Sequence, residues 1–141
     1  MGELFESVAT LRFFGDELIP DRLSEMLGGH PTLSSRKGDP VRLAENGSEV
    51  RAPTGSWRLK TARLRPGDLD RHVIELFRHL TDDLEVWRML SYQFKADVFF
   101  GIQLATYNEG VSLSLESLQA GSSRGLTFDF DLYGSEVHIA G

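Results

Sequence analysis

Two acidic residues, Asp129 and Asp131, occupy alternate positions near the end of the chain. In a strand, residues two apart point to the same face, so these two carboxylates would be neighbours. Neighbouring carboxylates repel each other when both are ionised, which raises the pKa of one toward the range useful for acid–base work. A solvated strand face shows the same spacing, so the pair predicts either a catalytic site or a polar surface.

A basic segment, Ser-Ser-Arg-Lys-Gly at residues 34–38, offers a second kind of chemistry. Arg36 and Lys37, with the backbone N–H groups of a turn, could hold an anion. The segment lacks the glycine-rich strand-to-helix context of a nucleotide-binding loop, and a solvated loop is the alternative. Trp57 follows shortly after as either a stacking surface for a ligand or a core residue, and the second is the commoner use of aromatic area.

Metal and thiol chemistry are disfavoured. His72, Glu75 and His79 fall on one flank of a predicted helix, and two imidazoles with a carboxylate are legitimate metal ligands. The two histidines, however, are separated by roughly 10 Å along the helix axis, too far for both to reach one ion easily. The chain contains no cysteine, which excludes disulfides, thiolate nucleophiles and zinc–cysteine sites. We therefore expect no metal and no cofactor.

The 141-residue length and ordinary globular composition indicate a single domain, residues 1–141, that can build one core without a staple. The net charge of −6 argues against general nucleic-acid binding, which needs clustered cations to neutralise phosphates. The N-terminal residues lack the basic segment of a signal peptide, and no apolar run approaches the ~18 residues of a membrane span. We expect a cytoplasmic protein that does not bind membranes.

Period-two alternation of apolar residues predicts four main strands. They cover residues 7–14, 57–63, 95–105 and 126–133. Helical patterns run from Pro20 to a stop at Gly28, from a cap at Asp68 through residue 80, from residue 84 onward, and from a cap at Ser114 to a stop at Gly121. Residues 41–43 and 49–51 predict a hairpin that turns at Asn46-Gly47.

These elements predict an α+β fold with a single four-stranded sheet, a small additional hairpin and helices packed on one face. Each half reads strand, helix, strand, and right-handed crossovers would place the helices on one side, giving a ferredoxin-like character. The core should contain Leu11, Phe13, Trp57, Leu59, Leu76, Phe77, Leu80, Phe100, Phe128 and Phe130. The opposite face should be open and carry Thr10, Arg12, Arg58, Lys60, Asp97, Phe99, Gln103, Asp129, Asp131 and Tyr133.

The order and spacing of several short motifs resemble the domain of unknown function 4279 family, found mainly in bacteria. The motifs are Phe14-Gly15-Asp16, a proline-started helix ending Met26-Leu27-Gly28, Pro31-Thr32, Arg36-Lys37-Gly38, Gly55-Ser56-Trp57, the helix after Asp68 and the strand that ends at Tyr133. The resemblance spans nearly the whole chain. It implies the fold and a soluble bacterial setting, and it implies no particular activity.

Three functional hypotheses follow. The leading one is a non-catalytic binding module, of an immunity or regulatory type, whose open face binds an acidic ligand or a protein partner at Arg12, Arg58 and Lys60. The alternative is a small hydrolase or transferase that uses Asp129 or Asp131 near those cations. The third is self-association as a homodimer through an exposed strand edge, or through Phe99 and Tyr133.

Overall fold

The computed structural model describes residues 4–42, 47 and 49–134, which contain seven strands and four helices. The strands are β1 (Leu4–Gly15), β2 (Leu33–Ser35), β3 (Pro40–Arg42), β4 (Glu49–Arg51), β5 (Gly55–Lys60), β6 (Lys95–Leu104) and β7 (Thr127–Tyr133). The helices are α1 (Pro20–Leu27), α2 (Leu69–Phe77), α3 (Leu84–Gln93) and α4 (Leu115–Ser123). No helix in this part of the chain is long and apolar enough to cross a membrane.

The main sheet has five strands in the order β2-β5-β1-β6-β7, so the predicted count of four is wrong. The additional strand is β2, which pairs antiparallel with β5 at the sheet edge. It has only three residues, too few to show a period-two pattern in the sequence. The predicted hairpin is confirmed as the separate β3-β4 pair. Asn46 of its predicted turn lies outside the described residues.

Only the second half of the chain forms the predicted strand-helix-strand crossover. There, α4 connects β6 to β7, which are parallel and adjacent. In the first half, β1 pairs antiparallel with β5 and also with β6, so its strands need no crossover. The prediction of two equivalent halves is wrong for this reason, and the ferredoxin-like character, which rests on split crossovers, is not confirmed.

Three helices begin directly after a polar residue that caps their first turn. The side chains of Asp68, Asp83 and Ser114 accept backbone N–H bonds in the first turns of α2, α3 and α4. The α4 helix continues through Gly121, which was predicted to stop it. A Cβ atom at Gly121 would lie 2.5 Å from the Phe128 ring, so this glycine allows α4 to approach β7 closely.

The helices cover one face of the sheet and enclose the core there. Phe13 lies at its centre, with its ring 5.9 Å from Trp57 and 6.3 Å from Trp87. Most of the predicted core residues are fully buried, while Leu59 and Phe128 are partly buried. Phe130 is 43% exposed, which corrects its placement in the core. It lies on the edge strand β7, where only one side of its ring is covered, by stacking on Phe100 at 5.2 Å.

Candidate functional site

The face of the sheet opposite the helices carries all ten residues predicted for it. The register fixes this, because Arg12 of β1 lies opposite Arg58 of β5 on one side and Asp97 of β6 on the other. Along β6 and β7, Phe99 lies opposite Asp129. Because side chains alternate along a strand, the remaining predicted residues lie on the same face of the sheet. We call this surface the open face.

Arg12 and Asp97 form a two-point ion pair at the centre of the open face. The Nε and Nη2 atoms of Arg12 donate to Oδ1 and Oδ2 of Asp97 at 2.8 and 2.6 Å. Asp97 is 2% exposed, and burial is the largest single influence on its pKa and acts to raise it. The hydrogen bonds with Arg12 and Asp129 and the positive charges of Arg12 and Lys95 together lower the pKa below the ordinary value. The carboxylate of Asp97 is therefore ionised at neutral pH and compensates the charge of Arg12.

A row of alternating rings and guanidinium groups crosses the strands at this point. The guanidinium of Arg12 lies 4.5 Å from the ring centre of Phe99 and 5.3 Å from that of Phe14, and the guanidinium of Arg58 lies 5.4 Å from the ring centre of Phe14. Like charges directly opposite on two strands repel, and the shared ring together with Asp97 offsets that repulsion. We call Phe99, Arg12, Phe14 and Arg58 the cation–aromatic row.

Asp129 interacts with Asp97 rather than with Asp131, which corrects the predicted carboxylate pair. Its hydrogen bond with Asp97, followed by burial, raises the pKa of Asp129 above the ordinary value. Asp131 instead accepts a hydrogen bond of 2.6 Å from the hydroxyl group of Tyr133, and this bond raises the pKa of Tyr133. One carboxyl of the open face therefore does hold its proton more tightly than usual, as the spacing suggested, but its partner comes from the neighbouring strand.

A cavity of about 360 Å³ opens at the other end of the open face. Its lining includes Asp131 and Tyr133 and runs over Gly101, whose missing side chain leaves the hollow. Glu6 stands at its side and binds both Arg63 and Arg65, and the hydrogen bonds from these arginines lower the pKa of Glu6. Of the two predicted acidic candidates, Asp131 thus borders a recess and Asp129 does not, and the lining also lacks Arg12, Arg58 and Lys60.

The other predicted candidates do not join the open-face cluster. Trp57 is fully buried among the core residues, and its Nε1 donates to Oγ of Ser24 at 3.0 Å, so it takes the core role, the commoner of the two considered for it, and is not an exposed stacking surface. Arg36 and Lys37 lie in the turn after β2, at the sheet edge. The Nζ atom of Lys37 already donates to Oδ2 of Asp16 at 3.0 Å.

Comparison with models of known protein families gives one match. A family model described as Domain of unknown function (DUF4279) matches residues 4–135, nearly the whole chain. The chain belongs to this family. No curated protein and no solved structure matches it.

A polar group that the sequence analysis missed lies beneath the helix layer of this DUF4279 domain. His72 of α2 is 1% exposed, and its Nε2 and Nδ1 atoms lie 2.8 Å from the hydroxyls of Ser7 and Thr61, respectively. Burial lowers the pKa of His72. Because the three residues are far apart in the sequence, no spacing signal could have joined them.

The three potential metal ligands predicted on one helix flank of this DUF4279 domain do not converge on one point. His72 points inward, whereas His79 is exposed and Glu75 pairs with Arg78 at 3.0 Å. Across residues 4–42, 47 and 49–134, no three His, Asp or Glu side chains are placed to hold one metal ion. Asp97 was predicted on the open face, but its ion pair with Arg12 was not predicted. Its signal was a single acidic side chain within the strongly apolar run of β6.

Proposed function

We propose that this protein is a small, non-catalytic binding module of an immunity or regulatory type that takes a protein partner on its open face. The observation that carries the proposal is the cation–aromatic row, which crosses the middle of a sheet face that the four helices leave uncovered. Arginine and aromatic side chains are enriched at the centres of protein–protein interfaces and carry a large share of the binding energy there.

The row is held in place before any partner arrives. Asp97 fixes the guanidinium of Arg12 at two points, and the ring of Phe99 supports one of its faces. Binding therefore costs little side-chain entropy at this position, since the rotamer is already selected. A preorganised arginine with a partly exposed face and flanking rings supports a contact surface more directly than it supports turnover.

Charge defines the partner's chemistry. Arg58 and Lys60 are both exposed on β5, and within the described part of the chain neither forms an ion pair. The charge of Arg12 is compensated by Asp97, so the free positive charge comes from two residues instead of the three expected from the sequence. A partner that places carboxylates over β5 and avoids them over Asp129 would match this face.

The test compares capture of a partner by three immobilised proteins, the wild type, Arg58→Glu and Arg22→Glu. Arg22 is exposed on α1, on the helix side of the sheet, and so provides a matched charge reversal away from the open face. We expect Arg58→Glu to lose the partner and Arg22→Glu to retain it. Both melting temperatures should stay near that of the wild type, because surface substitutions usually change stability by less than about 0.5 kcal/mol.

Salt provides a second readout of the same proposal. Exposed charges are screened over about 10 Å at 0.1 M salt, so capture by the wild type should weaken as salt is added. Equal capture by all three proteins would remove the open face from consideration and direct attention to the loop that carries Arg36 and Lys37. A dimer in light scattering that Arg58→Glu dissociates would identify the partner as a second copy of the chain.

The raised pKa of Asp129 favours a second candidate, a small hydrolase or transferase. A carboxyl that keeps its proton beside an arginine can act as a general acid. One observation argues against an enzyme. The Nε and Nη2 groups of Arg12 already donate to Asp97, so they cannot also bind a substrate phosphate at two points. Turnover of any ester or phosphoester in a substrate panel, lost in Asp129→Asn, would establish the enzyme and displace the binding module.

A bacterial, cytoplasmic setting forms part of the proposal. It is supported by a chain without cysteine, which gains nothing from an oxidising compartment. Fractionation of cells that carry the native gene, followed by immunoblotting, would test the compartment. Recovery in a membrane or secreted fraction would contradict it.

A further inference from the structure

A second cavity, of about 530 Å³, lies on the helix side of the sheet between α2 and the end of β5. The apolar part of its lining comes mainly from four leucines, Leu59 and Leu64 near the strand end and Leu76 and Leu80 on the helix side, and the polar part includes His30, Thr61, His72 and His79. Small-molecule sites usually measure roughly 300–1,000 Å³ and are mainly apolar with a few polar groups. The volume and the walls both fall within that description.

The rim of this cavity is positively charged. Lys60 and Arg71 both border it, and in the part of the chain that the structure describes neither forms an ion pair. The acidic residue of the lining, Glu75, has its carboxylate bound to Arg78 at 3.0 Å. In a protein with a net charge of −6, two uncompensated cations at the mouth of an apolar recess indicate an anionic occupant.

The remaining walls are fixed without help from a ligand. His72 borders the cavity, and both of its ring nitrogens are already hydrogen-bonded, to Ser7 and Thr61. Gly29 closes another side, where a Cβ atom would lie only 2.6 Å from Cδ2 of Leu80. The His72 ring therefore needs no further hydrogen-bond partner inside the cavity. The polar group of a ligand would lie at the rim.

We infer that this cavity binds a small organic anion with a hydrocarbon body. The carboxylate lies at Arg71, and the hydrocarbon chain lies along the leucine side chains. The site goes beyond the partner binding proposed for the open face and depends on different contacts, although Lys60 borders both surfaces. Loss of one activity in a variant would therefore not imply loss of the other.

The test titrates the ¹⁵N-labelled full chain with octanoate, octan-1-ol and acetate and follows amide chemical shifts. Octanoate should shift amides around Arg71 and Leu76 with a Kd below about 1 mM, an affinity of about 4 kcal/mol that suits a ligand of this size. Octan-1-ol, which lacks the charge, and acetate, which lacks the chain, should each bind at least about tenfold more weakly, as expected when one charge-assisted hydrogen bond or most of the apolar contact is removed.

Variants locate the site. Arg71→Gln should weaken octanoate binding about tenfold and leave octan-1-ol binding unchanged, as expected for loss of one hydrogen bond between charged groups. Arg22→Gln, on exposed α1, is the matched control and should bind octanoate like the wild type. Ala62→Trp should block both octanoate and octan-1-ol, because Ala62 is an exposed residue of the lining and a large ring there fills the mouth.

Three results would overturn the inference. The first is no saturable octanoate shift in the wild type, and the second is equal affinity for octanoate and octan-1-ol. The third is unchanged octanoate binding by Ala62→Trp whose spectrum shows the wild-type fold. None of these outcomes bears on partner capture by the open face, so failure here and failure of the proposed function are distinguishable.

Discussion

Arg12 and Asp97 are direct partners across β1 and β6, and each oxygen of the Asp97 carboxylate accepts its own hydrogen bond from the Arg12 guanidinium. This one pair accounts for three properties of the open face. It compensates a charge that would otherwise repel Arg58, and it holds the cation–aromatic row in register. It also keeps Asp97 ionised, and the hydrogen bond between Asp97 and Asp129 raises the pKa of Asp129.

Truncation of Asp97 should be costly. In Asp97→Ala the guanidinium of Arg12, whose side chain is 27% exposed, loses its two-point partner, and we expect stability to fall by about 2–4 kcal/mol. Urea unfolding at pH 7 measures this. The matched control is Asp131→Ala on the same face, where only an exposed hydroxyl contact is lost and a change below about 1 kcal/mol is expected. Equal effects of the two substitutions would contradict the importance of the ion pair.

The raised pKa of Asp129 predicts a pH-dependent gain in stability for Asp129→Asn. A folded-state pKa above the unfolded value means that the folded protein binds more protons, so the contribution of Asp129 is favourable at low pH and is lost as pH rises through the folded pKa. The amide cannot ionise and avoids this loss. We expect the variant to be the more stable protein at pH 7 and the two to converge below about pH 4, where the carboxyl is protonated in both states.

Urea unfolding of wild type and Asp129→Asn between pH 3 and 8 provides the comparison, because urea, unlike guanidinium chloride, adds no salt. Asp97 changes stability with pH in the opposite direction. Because its folded-state pKa is lowered, the stability that it contributes is lost on acidification, and both proteins contain this residue. A constant stability difference across the whole range would show that Asp129 does not share its proton with Asp97.

His72 should destabilise the fold on mild acidification. Burial lowers its pKa, so its neutral form is favoured, and the resulting stability is present above the unfolded pKa of about 6.5 and is lost as pH falls toward the folded value. In His72→Gln one of the two hydroxyl partners is left unpaired, and we expect a loss of about 1–3 kcal/mol at pH 7. This deficit should narrow at pH 5, and a deficit that widens there would refute the neutral buried imidazole.

Phe100 and Phe130 provide a matched pair of aromatic truncations. Phe100 is fully buried, so Phe100→Ala should lower stability by about 3–5 kcal/mol through lost burial and a new cavity. Phe130 stacks on the same ring but is 43% exposed, so Phe130→Ala should cost clearly less. Denaturation midpoints of the two variants test the assigned strand faces. An unchanged midpoint for Phe100→Ala would contradict the burial of β6.

Period-two patterns in the sequence predicted which residues share a face. Alternation along β1 and β6 assigned Leu11 and Phe100 to the core and Arg12 and Phe99 to the open face, and the structure confirms all four. Such patterns are local, because side chains of a strand alternate whatever the strand pairs with. The caps at Asp68 and Ser114 were predictable for the same reason, since each hydrogen bond spans three residues.

Pairing between distant segments was decided only by tertiary structure. The alternation that places Asp97 on the open face does not say that it faces Arg12, because register depends on how β1 and β6 align over 85 residues of separation. The same holds for Asp129, whose proton-sharing partner lies on another strand, and for β2, which exists only because β5 offers an edge. The sequence by itself determined the faces through backbone geometry. The chemistry of the open face, including its compensated arginine and the raised pKa of Asp129, arises from contacts that only folding brings together.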